Sequence, residues 1–490
     1  MNVKNLSTKI KTACILADMK TYRTRGNPYL PSWEYVPDGE PHVFGDRVYV
    51  YGSHDYFNGH VFCLGDYVCW SAPVNDLTLW TFEGVIYKKI DDPLNPAGAM
   101  CLYAPDATQG PDGRYYLYYV LDKVSVVSVA VSDRPAGPFS FYGYVRRPDG
   151  GLLGAVPGDE PQFDPGVLTE GDQTYLYTGF CARGDASRTG PMASVIGPDM
   201  LTLIRGPENL LPSEPFSKGS GFEGHEYFEA ASIRKFGDIY YFIYSSIVMH
   251  ELCYATSDRP DGGFRYGGVL VSNNDLHIGG YKESETPAYY GGNNHGSLVE
   301  IGGRFFVFYH RHTHGTTFCR QGCAEPIARL ADGLFVQAEM TSQGLSGKPL
   351  AGRGEYPAYM ACNLWCAVPS LYTAQASVAD NRFPHITQEG RDGDEVDGYI
   401  ANMMDGAVAG FKYFDFAGAR SIRMSVRGYC RGSFVVSTSP GGPAAAILAV
   451  DFTNVWTDYR SELSVPDGTH PLYFRYEGEG RAEFASFSLE

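Results

Sequence analysis

VFGDRVYVYGS (Val43–Ser53), PDGRYYLYYVL (Pro111–Leu121), TEGDQTYLYTGF (Thr169–Phe180), KFGDIYYFIYSS (Lys235–Ser246) and EIGGRFFVFYHR (Glu300–Arg311) share one grammar. Each is a glycine-containing turn followed by a run of aromatic and β-branched residues. The turn glycines Gly45, Gly113, Gly171, Gly237 and Gly303 are separated by 68, 58, 66 and 66 residues. A recurring period of this kind marks a propeller or solenoid. The run after each turn is apolar on both faces, as a strand enclosed between two neighbouring sheets must be. Four-stranded blades need ~40 to 50 residues, so these periods also leave room for inserted loops. The pattern predicts an all-β chain: a five-bladed β-propeller over residues 25–341, preceded by an N-terminal extension over 1–24.

After about Thr341 the pattern changes. Residues 342–371 are punctuated by Gly and Pro and read as a linker packed on the propeller. From 372 to 490 come short alternating segments, among them SIRMSVRG (Ser421–Gly428), GSFVVSTS (Gly432–Ser439), AAILAVDF (Ala445–Phe452), HPLYFRYEG (His470–Gly478) and AEFASFSL (Ala482–Leu489). Strands this short with turn residues between them predict a β-sandwich of jelly-roll type. Composition agrees: 58 Gly, 31 Pro and 14% aromatic residues among 490 exclude a helical solenoid, and 44% hydrophobic residues exclude a disordered chain.

The net charge of −17, with no basic cluster longer than pairs such as Arg146–Arg147, argues against a nucleic-acid partner. The 11 cysteines are scattered from Cys14 to Cys430 and read as reduced, buried thiols. The C-x3-C pairs Cys319/Cys323 and Cys362/Cys366 lack zinc-knuckle spacing. The apolar run Ala13–Ala17 is too short for a signal sequence, and no run of ~18 apolar residues exists, so a cytoplasmic protein without membrane contact is expected.

Upstream of each turn glycine stands one polar residue at nearly constant distance: Asp38, Asp106 and Asp164 by seven positions, Glu229 and His295 by eight. In a propeller the first strand of each blade lines the central channel, so the five converge on one axis. Gathering four carboxylates and an imidazole costs repulsion and desolvation unless a cation or substrate uses them. Two carboxylates facing each other across a pocket are the minimum apparatus for glycoside cleavage. Trp33, Tyr103 and Phe228, near the same entrances, offer faces on which sugar rings stack. His310, His312 and His314 alternate along the fifth repeat; without a carboxylate or Cys at ligand spacing they read as pocket rim rather than a zinc site.

NPYLPSWEYVPDGEPHVFGDRVYVYGSHD (Asn27–Asp55), YAPDA (Tyr103–Ala107), FEAASIRK (Phe228–Lys235) and NNHGS (Asn293–Ser297) resemble glycoside hydrolase family 43 over residues 25 to 340. That resemblance implies a five-bladed propeller and inversion at the anomeric carbon. It implies Asp38 as general base, Glu229 as general acid and Asp106 as the carboxylate that orients the acid and raises its pKa. Asp164, in FDPGV, resembles a recurrent acidic position with a structural or channel-lining role. Arg320 looks like the family arginine that reaches the terminal sugar. His295 matches the family histidine that holds a calcium ion through water; no organic cofactor is implied.

The C-terminal part is similar to family 6 carbohydrate-binding modules around DGYIANMMDGAVAGFKYFDF (Asp397–Phe416), with Glu389 or Asp392 near a structural calcium. Its last strand, EGRAEFASFSLE, departs from the sugar-binding pattern of those modules. The expected activity is release of terminal α-L-arabinofuranosyl or β-D-xylosyl groups from plant oligosaccharides. A β-D-xylosidase, a β-D-galactofuranosidase and a non-catalytic glycan-binding propeller are the alternatives.

Overall fold

A computed structural model describes residues 20–156, 158–366 and 383–490. Most of the expected N-terminal extension (1–19) and the expected junction between linker and sandwich (367–382) lie outside the described residues. Within them no α-helix forms, and the chain builds seven sheets. Five follow one another along the sequence, and their innermost strands are Glu40–Phe44, Leu102–Gln109, Gly166–Glu170, Tyr227–Phe236 and Leu298–Ile301. Each of these touches the next and the last touches the first, which closes the ring of a five-bladed propeller. The first sheet carries Thr21–Arg23 as an extra outer strand, and the fifth has three strands.

The repeat grammar has a direct backbone cause. Gly45, Gly113, Gly171, Gly237 and Gly303 all have φ between +59° and +83°, the left-handed region a tight hairpin requires and other residues resist. The strands that follow them are nearly continuous in burial, as in Ile239–Ser246 and Tyr115–Leu121. Their side chains fill the space between adjacent blades. Tyr51, Tyr67, Leu117 and Tyr119 join blades one and two; Tyr177, Tyr227, Phe242 and Tyr244 join three and four. The ring closes where Tyr29 packs on Trp80 and Phe308, and where Gly39 and Gly296 form a parallel bridge. A Cβ on Gly296 would lie 1.9 Å from the Phe308 carbonyl oxygen, so only glycine permits that approach.

The two remaining sheets form the C-terminal β-sandwich, with Phe411, Phe414, Phe474, Phe484 and Phe487 between them. The stretch 342–371, expected as an irregular linker, instead supplies three short strands to these sheets. Leu350–Ala351 and Asn363–Trp365 pair with Val408–Phe416, while Gly354–Pro357 pairs with Ala482–Leu489. Few residues are needed to satisfy an open sheet edge, so a Gly/Pro-rich sequence can still form strands there. The sandwich is anchored to the propeller by buried polar contacts. Lys412 Nζ bonds Asp275 and Glu339, both at 2.8 Å, and the buried Arg311 donates to the carbonyls of Ala361 and Tyr359.

Candidate active site

At one mouth of the propeller channel lies a cavity of about 270 Å³, walled by residues from all five blade entrances. Asp38, Asp164, Glu229, His295 and Arg320 reach into it, with Tyr103 and Phe228 on its sides. Regular strand geometry alone does not aim these groups. Asp38 and Asp164 precede their strands with φ of +58° and +43°, and Ala230, next to Glu229, has φ of +68°. The pairing register also shifts on both sides of Glu229. Non-glycine residues held in the left-handed region, and bulges that re-aim a side chain, concentrate where a surrounding structure holds a functional group in place.

The two opposing carboxylates sit in unlike surroundings. Asp38 is buried, which by itself disfavours its charge. The Arg320 guanidinium, bonded at 2.9 Å, together with His310 at 3.3 Å and His295, outweighs burial and holds the carboxyl well below the usual range. Arg320 is locked in turn by a two-point pairing with the fully buried Asp55, at 2.8 and 3.0 Å. Glu229 has no such cation in contact. Burial, followed by the negative charge of Asp38, raises it to about 7 against the opposing effect of Arg320. Asp164 is likewise pushed up, first by burial and then by Glu229 and Asp38, although it accepts the N–H of Ala230 at 3.1 Å. Two acids placed so close retain a proton between them near neutral pH.

Asp106 does not line the cavity. It is fully buried, 2.6 Å from His42 Nε2, accepting the N–H of Val167 at 2.9 Å and lying near Arg234. The matched sequence offset placed it at a blade entrance, but its side chain closes a buried network with His42, Arg234 and Glu40. Asp164 is the acid that the fold brings beside Glu229. Trp33 is also outside the cavity. It packs edge-on against Tyr22 in a groove between propeller and sandwich that Tyr399 and Trp456 also line. The histidine series divides: His310 faces Asp38, His312 bonds Asn293 at 2.7 Å on the cavity wall, and His314 bonds Thr387 of the sandwich.

Burial pushes His295 down to about 4, so its ring is neutral near pH 7. Its Nδ1 stands 3.9 Å from Asp38 and 3.7 Å from Asp164, beyond hydrogen-bond reach. A neutral imidazole facing two carboxylates at these separations suits a hydrated calcium reached through water. Around the sandwich the fit fails: Glu389 pairs with Arg427 at 2.6 Å and Asp392 accepts the N–H of Phe57 at 2.7 Å. The ten described cysteines are all buried. No helix of the described residues is long and apolar enough to cross a membrane.

Sequence reasoning missed Asp55, Phe62 and Phe163. Asp55 ends the motif quoted from the first blade, and its alignment with Arg320 exists only across 265 positions. Phe62, over which the Arg320 guanidinium lies at 4.8 Å, sits on a loop without any periodic signal, whereas Phe163, edge-on to Tyr103 at 5.7 Å, directly precedes Asp164 as Phe228 precedes Glu229, a parallel the repeat itself offered.

Residues 35–335 match the family model described as glycosyl hydrolases family 43. A xylosidase/arabinosidase of Thermoclostridium stercorarium is 65% identical over 468 residues, covering 95% of this chain and 99% of that protein. Among solved structures, a beta-xylosidase/alpha-arabinofuranosidase from a compost microbial metagenome, in complex with xylotriose, is 27% identical with a TM-score of 0.50. That match covers 65% of this chain and 98% of the other. An arabinoxylan arabinofuranohydrolase from Bacillus subtilis, in complex with cellotetraose, is 20% identical with a TM-score of 0.50 over 94% of this chain and 97% of its own, and shares the fold across both domains. With the family model and a close relative both spanning the pocket, the chain belongs to glycosyl hydrolase family 43 and is a glycosidase that hydrolyses O-glycosyl bonds.

Proposed function

We propose that the protein is an inverting exo-glycosidase that removes terminal α-L-arabinofuranosyl groups, and also β-D-xylosyl groups, from plant-derived oligosaccharides. The observation that carries this reading is the pair Asp38 and Glu229, whose environments push their proton affinities in opposite directions across one cavity. Two carboxyls separated in this way divide into a base and an acid at the same pH. The name of the relative at 65% identity supports both sugars. A cavity of about 270 Å³, below the usual ~300 to 1,000 Å³ of ligand pockets, suits one terminal ring better than a chain passing through.

In the proposed reaction Asp38 takes a proton from a water that attacks the anomeric carbon. Glu229 gives its proton to the departing glycosidic oxygen, and the anomeric configuration inverts. Arg320 keeps Asp38 ionised and offers hydrogen bonds to the bound sugar. Asp164, in place of Asp106, is the third carboxylate: through the Ala230 N–H it positions Glu229, while burial and Asp38 favour the protonated acid. Tyr103 and Phe228 form the apolar walls for the sugar's C–H faces. Calcium, held through water by His295, would supply positive charge on the axis.

A panel of p-nitrophenyl glycosides, with proton NMR of the first-formed anomer, tests this reading. Release from the α-L-arabinofuranoside with inverted product is expected. An initially retained anomer would overturn the mechanism, and no release from either pentoside would overturn the substrate assignment.

A further inference from the structure

Away from the cavity, at the start of strand Glu251–Ser257 in the fourth blade, three histidines surround one buried glutamate. Glu251 is 1% exposed. One carboxylate oxygen, Oε2, meets His225 Nδ1 at 2.8 Å and accepts the Ser246 hydroxyl at 2.9 Å. The other, Oε1, lies 3.2 Å from His277 Nε2. His250 precedes Glu251 in the chain, and one ligand atom from each of His250, Glu251 and His277 falls within 4.8 Å of the other two.

We propose that His250, Glu251 and His277 form a binding site for one divalent transition-metal ion of the zinc type. Three observations on this cluster support it. First, bonds of ~2.0 to 2.2 Å at tetrahedral angles place neighbouring ligand atoms about 3.3 Å apart. The 3.2 Å between Glu251 Oε1 and His277 Nε2 matches that edge. A charge-assisted hydrogen bond is shorter, ~2.7 to 2.9 Å, and the same carboxylate makes one of that length to His225.

Second, each ligand has the outer partner that a metal site uses to orient it. His250 Nδ1 meets Ser272 Oγ at 3.0 Å, His277 Nδ1 meets Glu285 at 3.3 Å, and Glu251 Oε2 is held by His225 and Ser246. Third, two imidazoles and one carboxylate suit zinc and its neighbours, whereas calcium and magnesium favour oxygen sets.

The position gives the ion a structural consequence. Met249, beside His250, lines the cavity, and the connection that carries His277 and Glu285 continues to Gly291, Gly292 and Asn293 on the cavity wall. A bound ion would tie the turn before Glu251 to that connection and brace the wall without touching sugar.

The test needs no activity measurement. The purified full chain is stripped with dipicolinate and dialysed, then titrated with zinc chloride in a calorimeter and with cobalt(II) in a spectrophotometer. One zinc per chain is expected, with a rise in Tm and tetrahedral cobalt bands in the visible. His277→Ala, at a partly exposed position, should weaken zinc binding at least ~100-fold with an unchanged circular dichroism spectrum. His225→Ala, an outer partner, should weaken it ~10- to 100-fold. His277→Gln serves if the alanine variant does not fold. Zinc binding that is absent in the wild type, or equal in the wild type and the His277 variants, would overturn the site; so would stoichiometric calcium binding there that zinc does not displace.

Discussion

Raising the pH from 6 to 9 removes the proton that the proposed mechanism takes from Glu229, and the structure states how much activity that costs. The Glu229 carboxyl titrates at about 7 because burial and the Asp38 charge disfavour its ionised form. The protonated fraction is then about 10% at pH 8 and about 1% at pH 9, so kcat/KM should fall tenfold per pH unit above 7. On the acid side Arg320 holds Asp38 ionised far below the ordinary carboxylate range, so no matching loss is expected down to about pH 4. The stability sign follows from the same shift. Glu229 has a folded pKa above its unfolded one, so its contribution is fully present below about 4.5 and disappears as the pH rises through 7.

The assay is kcat/KM from pH 4.5 to 9.5 on an oligosaccharide, whose poor leaving group requires protonation, and on a dinitrophenyl glycoside, which does not. Glu229→Gln should abolish the alkaline limb and retain turnover only on the activated substrate. An alkaline limb near the ordinary glutamate value, or one that survives in Glu229→Gln, would refute the assignment of the acid.

Asp38→Asn should reduce turnover on every substrate by ~10²- to 10⁴-fold while Tm changes little, because Arg320 keeps its pairing with Asp55; steady-state kinetics with thermal denaturation checks both. Asp164→Asn should lower kcat/KM and leave the alkaline limb near 7, since that carboxyl acts on Glu229 through the Ala230 N–H while burial and Asp38 set the limb. Asp106→Asn should lower Tm, by breaking a buried network, with a smaller loss of kcat/KM; comparing Tm and kcat/KM of the two variants separates the roles. Trp33→Ala should leave KM for short oligosaccharides unchanged, whereas Phe228→Ala should raise it, as initial-rate measurements on an arabino-oligosaccharide series will show.

The propeller was legible because its signals are local. A hairpin turn needs a left-handed residue, which selects glycine, and a strand between two sheets needs apolar side chains on both faces. Both leave a mark within a dozen residues, so Gly45 and its four counterparts disclose the blade order. Asp38, Glu229 and His295 were found the same way, by constant offset from those turns. The offset fails for Asp106 because it locates a residue along a strand but not the depth at which its side chain enters the channel. His42 and Arg234, both distant in sequence, draw Asp106 into the buried layer, while Asp164 is left beside Glu229.

The strands in 342–371 escaped notice for a related reason: they are two to four residues long and exist through pairing with Val408–Phe416 and Ala482–Leu489 rather than through their own composition. The sequence by itself therefore determined the number of blades, the sandwich that follows them and the family. Tertiary structure decided which carboxylates share a cavity, which cation keeps one of them charged, and where three histidines close on Glu251. These depend on side chains that meet across tens to hundreds of positions, through distance and burial that no local pattern encodes.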